Sequence, residues 1–328
     1  MLSRVADSLY WMSRYVERVE NLARFVDVNW HMSLDVPGDP SSQWLPLVAV
    51  TGDKELFDTR YGRADRDSVI QFLVFDTEYS NSIISCLGSA RENARTVRQF
   101  ITLEMFEQLN QMYLAMREAV MNRAPADLNH DFFTGIMADC QLFTGITDAT
   151  MSHEEGWNFM HLGRMIERAD KTTRLLDVKY FILLPSVSYI GTPYDDLLWA
   201  AVLRSASAFE MYRKRYHQIT PPRVAEFLIF DRYFPRAVHH CIVMADRALH
   251  AISDTPPGTF RNLAEKRLGR LKAELDFTEL GEVMDTGLHQ FLDNFQESLN
   301  EVGDAVFQTF FALRPVPRDD SGEETEPQ

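Results

Sequence analysis

Residues 14–28, RYVERVENLARFVDV, return as residues 164–178, RMIERADKTTRLLDV, at an offset of 150. Arg14, Glu17, Arg18, Arg24, Asp27 and Val28 are repeated as Arg164, Glu167, Arg168, Arg174, Asp177 and Val178. Downstream the register continues at an offset of 155. Trp44 falls on Trp199, Phe57–Tyr61 on Tyr212–Tyr216, Phe72–Asp76 on Phe227–Asp231, Tyr79 on Phe234 and Cys86 on Cys241. Collinear matches at one spacing are the mark of an internal repeat. They predict a duplication of about 150 residues, with halves at 1–153 and 154–313 that pack as one body of two similar helical bundles.

The same segments set the fold class. Val5, Leu9, Met12, Val16, Val19, Ala23, Val26 and Trp30 are spaced three or four apart, which is one apolar face of a long helix. Similar stripes run through Ile83, Leu87, Ala90, Ala94 and Val97, and through Phe291, Phe295, Leu299, Val302, Val306 and Phe310. The 15 glycines and 14 prolines are few for 328 residues, and the prolines cluster at 37–40, 185–193, 221–222, 256–257 and 315–317. Proline-free runs between such breaks favour helix, and no alternating β-branched run predicts a sheet. An all-α fold is expected. Ser152 and Glu155 read as a capping box that starts the second half. Residues 314–328, proline-rich and then acidic, read as a disordered tail.

Composition bounds the function. With 33 basic and 48 acidic side chains the net charge is −15, which argues against a protein that neutralises nucleic-acid phosphates. The first twenty residues place Arg4, Asp7, Arg14 and Glu17 where a secretory signal needs an apolar run, and nowhere do 18 apolar residues run together. Neither a signal peptide nor a membrane span is expected. Cys86, Cys140 and Cys241 form no CxxC pair and read as buried thiols in a reducing, cytoplasmic setting.

Arg14, Glu17, Asn21 and Arg24 share one helix face, as do Arg164, Glu167, Lys171 and Arg174. One reading is a solvated stripe held by weak pairs between Glu20 and Arg24 and between Asp170 and Arg174. Recurrence favours the other reading, in which Glu17, Arg18, Glu167 and Arg168 have specific partners and Arg14, Arg24, Arg164 and Arg174 form a ligand or partner face. Asp76 and Asp231 end matching apolar runs. They suit helix caps, or acceptors for Arg18 and Arg168 respectively.

No metal or cofactor is expected. No histidine follows a Glu at the Glu-x-x-His spacing of di-iron bundles. His153-Glu154-Glu155-Gly156-Trp157 puts Trp where a zincin needs its second His. His239 and His240 are adjacent and diverge on a helix. Phosphate loops, dinucleotide loops and nucleophile elbows are absent, so nothing in the motifs names a reaction.

LSRVADSLYWMSRYVERVENLARFVDV near the start, SIISCLGSARENAR at 82–95, GWNFMHLGRMIERADKTTRLLDV at 156–178, and LRSASAFEMYRKRY followed by RVAEFLIFD resemble the bacterial alpha-E family over residues 1 to about 313. That family is all-helical and named for a Glu-Arg motif, here Glu17-Arg18 and Glu167-Arg168. The resemblance implies association with a circularly permuted ATP-grasp ligase and with a transglutaminase-like peptidase. The chain is then expected to be a non-catalytic partner or scaffold of a bacterial peptide-ligase system. The alternative is an enzyme or binding subunit that recognises a carboxylated peptide or amino acid through the Glu-Arg motifs, with a Glu as general base.

Overall fold

In the computed structural model the described residues are 1–35, 40–182 and 193–312, and among them there is helix and no strand. The expected tail at 314–328, and the proline clusters at 37–39, 185–192 and 315–317, lie outside the described residues.

The long amphipathic stretch becomes α1, Ser3–Asp35. After it come α2 (Pro40–Thr51), α3 (Lys54–Tyr61), α4 (Arg66–Ile70), a π-helical turn over Gln71–Phe75, α5 (Ile83–Thr96), α6 (Leu103–Asn122) and α7 (His130–Thr150). The second ER stretch becomes α8, Glu155–Ile182. It leads into α9 (Pro193–Ser205), α10 (Phe209–Arg215), α11 (Pro221–Phe230), α12 (Val238–Ser253), α13 (Leu263–Phe277), α14 (Leu280–Thr286) and α15 (Leu288–Val306). A second π-helical turn, Phe307–Phe311, ends the described chain.

α1 and α8 form the central pair. Contacts run from Tyr10 against Gly163 to Arg14 and Arg18 against Glu167, so numbering rises together and the two helices are parallel. α5 and α7 pack on α1, while α12 and α15 pack on α8. Enclosed in this way, α1 is buried on more than its apolar stripe: Ser13, Glu17, Glu20, Asn21, Arg24 and Asp27 are buried as well. The pair can approach closely because Gly163 has no side chain. A Cβ there would stand 2.4 Å from the Tyr10 carbonyl oxygen.

Local sequence signals set the flanking helices. Ser82, Thr102 and Asn129 each accept a backbone N–H three residues on and cap α5, α6 and α7. The predicted stripe Ile83, Leu87, Ala90, Ala94 and Val97 is wholly buried. The expected Ser152–Glu155 cap is not formed, because α8 begins at Glu155 itself and that carboxylate lies 2.8 Å from the Met1 nitrogen. The three cysteines are free and buried, as expected. Burial, which disfavours a thiolate, pushes Cys86 up to about 11 and Cys241 up to about 12. No helix among the described residues is long and apolar enough to cross a membrane.

Candidate functional site

The two motifs meet across the α1–α8 seam and exchange partners. Arg18 on α1 donates to Glu167 on α8, Nε to Oε1 at 2.6 Å and Nη2 to Oε2 at 2.9 Å. Arg168 on α8 donates to Glu17 on α1, Nε to Oε1 at 2.9 Å and Nη2 to Oε2 at 2.7 Å. Both are fork-on-carboxylate pairs, the geometry for which a planar guanidinium is suited. Because the helices are parallel and the motif places Glu and Arg side by side, each helix supplies one acceptor and one donor at the same level.

Further cations complete each carboxylate. Arg14 Nε donates to Glu167 Oε2 at 2.9 Å, and Lys171 Nζ stands 3.6 Å from Oε1. Around Glu17, Arg236 Nη1 donates at 2.8 Å and Asn21 Nδ2 at 3.1 Å, while the other Arg236 nitrogen reaches Glu20 at 2.5 Å. Glu17 is 2% exposed and Glu167 is fully enclosed. Burial by itself would push these carboxyls up. For Glu17 the Arg168 and Arg236 guanidiniums win, and for Glu167 Arg18, Lys171 and Arg14 do, so both are held well below the usual carboxylate range. Burial likewise opposes charge on Arg18 and Arg168, yet their glutamate partners hold both guanidiniums above their ordinary value. The solvated-stripe reading is therefore corrected: the Glu20–Arg24 pair exists at 2.5 Å and the Asp170–Arg174 pair at 2.9 Å, but they belong to a buried network. A motif Glu as general base is corrected too, since neither carboxylate is poised to take a proton near neutral pH.

Asp76 and Asp231 do not join this network. Asp76 Oδ2 accepts from Arg60 Nη1 at 3.0 Å and from the Tyr61 hydroxyl at 3.1 Å, and Asp231 Oδ2 accepts from Arg215. Their other oxygens close turns, Asp76 accepting from the N–H of Glu78 and Tyr79 and Asp231 from those of Tyr233 and Phe234. The expected Arg18–Asp76 and Arg168–Asp231 pairs are thus wrong, because both guanidiniums point across the seam. The helices that follow are N-capped elsewhere, α5 by Ser82 and α12 by Ala237, whereas Asp76 and Asp231 take the C-cap positions of the Gln71–Phe75 turn and of α11. Arg60 and Arg215 occupy matching places in the two repeated segments, and that recurrence was the available signal.

Although the motif is symmetrical in sequence, its two sides are not alike. On the Glu167 side an open cleft of about 520 Å³ is lined by Arg14, Arg18, Lys171 and Arg174 together with Asp53, Asp170, Asp304, Tyr79 and Asn81. Arg18 also donates to the Asn81 side-chain oxygen, and Asp53 accepts from Tyr79 at 2.6 Å. On the Glu17 side only about 10 Å³ remains, because Phe143 and Thr147 of α7 and Trp157 and His161 of α8 fill the space. There Arg164 Nη2 donates to His161 Nδ1 at 2.9 Å. Burial, then the positive charge of Arg164 and Arg168, pushes His161 down to about 3, so it stays neutral as that acceptor. Of the four arginines expected to form one face, Arg14 and Arg174 line the cleft, Arg164 lies on the closed side, and Arg24 is buried against Glu20.

Sequence reasoning missed Arg236, whose place in the repeat is held by Asn81, so no recurrence marks it. It also missed two carboxylate–imidazole contacts. Asp27 Oδ1 lies 2.7 Å from His130 Nδ1, and Asp177 Oδ1 lies 2.6 Å from His289 Nδ1. Each pair is separated by more than a hundred residues, beyond any local motif. Of the adjacent histidines, buried His239 meets Asp276 at 2.9 Å and His240 meets the Arg232 carbonyl at 2.9 Å, so they diverge as expected.

A family model described as "Alpha-E: A predicted alpha-helical domain with a conserved ER motif" matches residues 1–311. The chain is 25% identical over 345 aligned positions to an uncharacterised protein of Mycobacterium bovis, with the same identity to uncharacterised proteins from two strains of Mycobacterium tuberculosis. The alignments cover 94% of this chain and 37% of those relatives, so the chain spans little more than a third of their length. No solved structure matches.

Proposed function

This chain belongs to the Alpha-E family, and on that premise we propose that it is a non-catalytic partner subunit of a bacterial peptide-ligase system, working in the cytoplasm beside a circularly permuted ATP-grasp protein. A transglutaminase-like peptidase is a further partner in this reading. The observation that carries the non-catalytic part is the state of the motif carboxylates. Glu17 and Glu167 are buried, ionised and bonded to guanidinium at both oxygens, so the motif acts as a clamp between α1 and α8 and offers no acid or base. The length of the relatives supports the partner part, since the segment that aligns with this chain fills only about a third of their longer chains and stands there beside other segments. We also read the parallel element orders after α1 and α8 as an internal duplication, with halves at 1–153 and 154–313.

Co-expression with the ATP-grasp protein encoded in the same genome tests this reading. The expected result is co-elution of the two on gel filtration. Separate elution at concentrations well above micromolar would overturn it.

The open cleft favours a second reading, a binding subunit for a carboxylated peptide or amino acid. Arg14, Arg18, Lys171 and Arg174 all line the cleft, beside Asp53, Asp170 and Asp304, and a guanidinium fork is the group that recognises a carboxylate.

A further inference from the structure

The pair formed by Asp27 and His130 has a third member. His31, one turn after Asp27 on α1, places Nε2 at 3.1 Å from His130 Nδ1 and 3.8 Å from Asp27 Oδ1. We propose that Asp27, His31 and His130 form a binding site for a divalent first-row transition metal of the zinc type.

The size of the triangle supports this. With edges of 2.7, 3.1 and 3.8 Å, the point equidistant from the three atoms lies ~1.9 Å from each. Zinc binds imidazole nitrogen at about 2.0–2.1 Å and carboxylate oxygen at about 2.0–2.2 Å, so an ion fits just outside the plane of the three atoms without moving them. Protons explain the arrangement less well. His130 Nδ1 faces both a carboxylate oxygen and an imidazole nitrogen, and a single N–H cannot point at both. A cation that accepts lone pairs from all three atoms satisfies every contact. Two neutral imidazoles and one carboxylate are also the ligand types that suit zinc and its neighbours.

Position supports an open coordination site. Asp27 is buried at the root of the group, whereas the His31 and His130 side chains are about half exposed, at 55% and 49%. They border a second cleft of about 690 Å³ that includes Met137, Gln141 and Leu197. A fourth ligand, water or a substrate atom, has room to enter there, as in zinc sites with three protein ligands. Asp177 and His289 provide an internal comparison. In the other half Asp177 pairs with His289, and the position 150 residues after His31 is Phe181.

The test is titration of the full-length protein with Zn²⁺ by calorimetry and with Co²⁺ by visible absorption, beside His31→Ala, His130→Ala, the double variant and His289→Ala. One site per chain is expected, with a four-coordinate Co²⁺ spectrum. Loss of a group that merely orients a ligand costs about 10–100-fold in affinity, so removal of either His31 or His130 should weaken binding by roughly 100-fold or more. His289→Ala should leave it unchanged. His31 is exposed and its replacement tests the site even if His130→Ala unfolds. Wild-type binding no tighter than that of the double variant, or equal loss on His289→Ala, would overturn the proposal.

Discussion

Arg168 holds Glu17 through two hydrogen bonds of 2.9 and 2.7 Å, and the Glu17 that accepts them belongs to the helix whose own Arg18 holds Glu167 in return. Neither motif is satisfied within its own helix. Glu17→Ala strips Arg168 and Arg236 of their shared carboxylate, and breaking a buried pair from one side costs about 3–5 kcal/mol. Replacing Glu17 and Arg168 together by Met should cost less than the sum of the two single changes, since no charge of that pair is then left unmatched. Urea-unfolding midpoints of the two singles and the double measure this.

Gly163→Ala should destabilise by about 1–3 kcal/mol or more, because the new Cβ lies 2.4 Å from the Tyr10 carbonyl and the central helices must separate. Gly269→Ala in α13 meets nothing within 4 Å. It should instead stabilise by roughly 0.5–1 kcal/mol through better helix propensity. Thermal melts of the two variants should move in opposite directions.

Acid should unfold the protein in two windows. His161 has an ordinary value of 6.5 and is pushed down to about 3 in the fold by burial and by Arg164 and Arg168. The unfolded chain therefore binds the extra proton, and stability falls as pH drops from about 6.5 toward 3, with a slope of up to ~1.4 kcal/mol per pH unit. Glu17 and Glu167 start from 4.5 and are held far below it by their guanidinium partners, despite burial. Their contribution is complete above about 4.5 and is lost as pH falls below that value. His161→Gln should flatten the curve between pH 6.5 and 5 and leave the lower limb in place, which unfolding free energies across pH will check.

The unequal sides of the motif make a binding prediction. Arg174→Glu, on the open cleft, should weaken the binding of a labelled acidic peptide by tenfold or so, about 1.4 kcal/mol, while Arg164→Gln on the closed side should not. Anisotropy titrations at low and high salt measure both, and the wild-type affinity should fall with salt.

The all-helical class, the buried apolar stripes and the recurrence of the Glu-Arg pairs were legible in the residue order, because helix periodicity and recurrence are local or self-referential signals. The partner of each charge was not. Asp76 suited a helix cap or a partner for Arg18, and only the fold shows that Arg60 reaches it while Arg18 turns toward Glu167. Arg24, expected on a face, is enclosed instead, since α1 is covered by α5, α7 and α8 together.

By itself the sequence determined which segments are helical, which of their faces are apolar, and that two of them carry the same charged motif. Tertiary structure decided that these two helices lie side by side and parallel, that one face of their seam is open and the other filled, and that His31 and His130 converge on Asp27. The physical reason is range: periodicity acts over a few residues of one chain segment, whereas a salt bridge between Arg18 and Glu167 or a contact between Asp27 and His130 exists only once segments more than a hundred residues apart have packed.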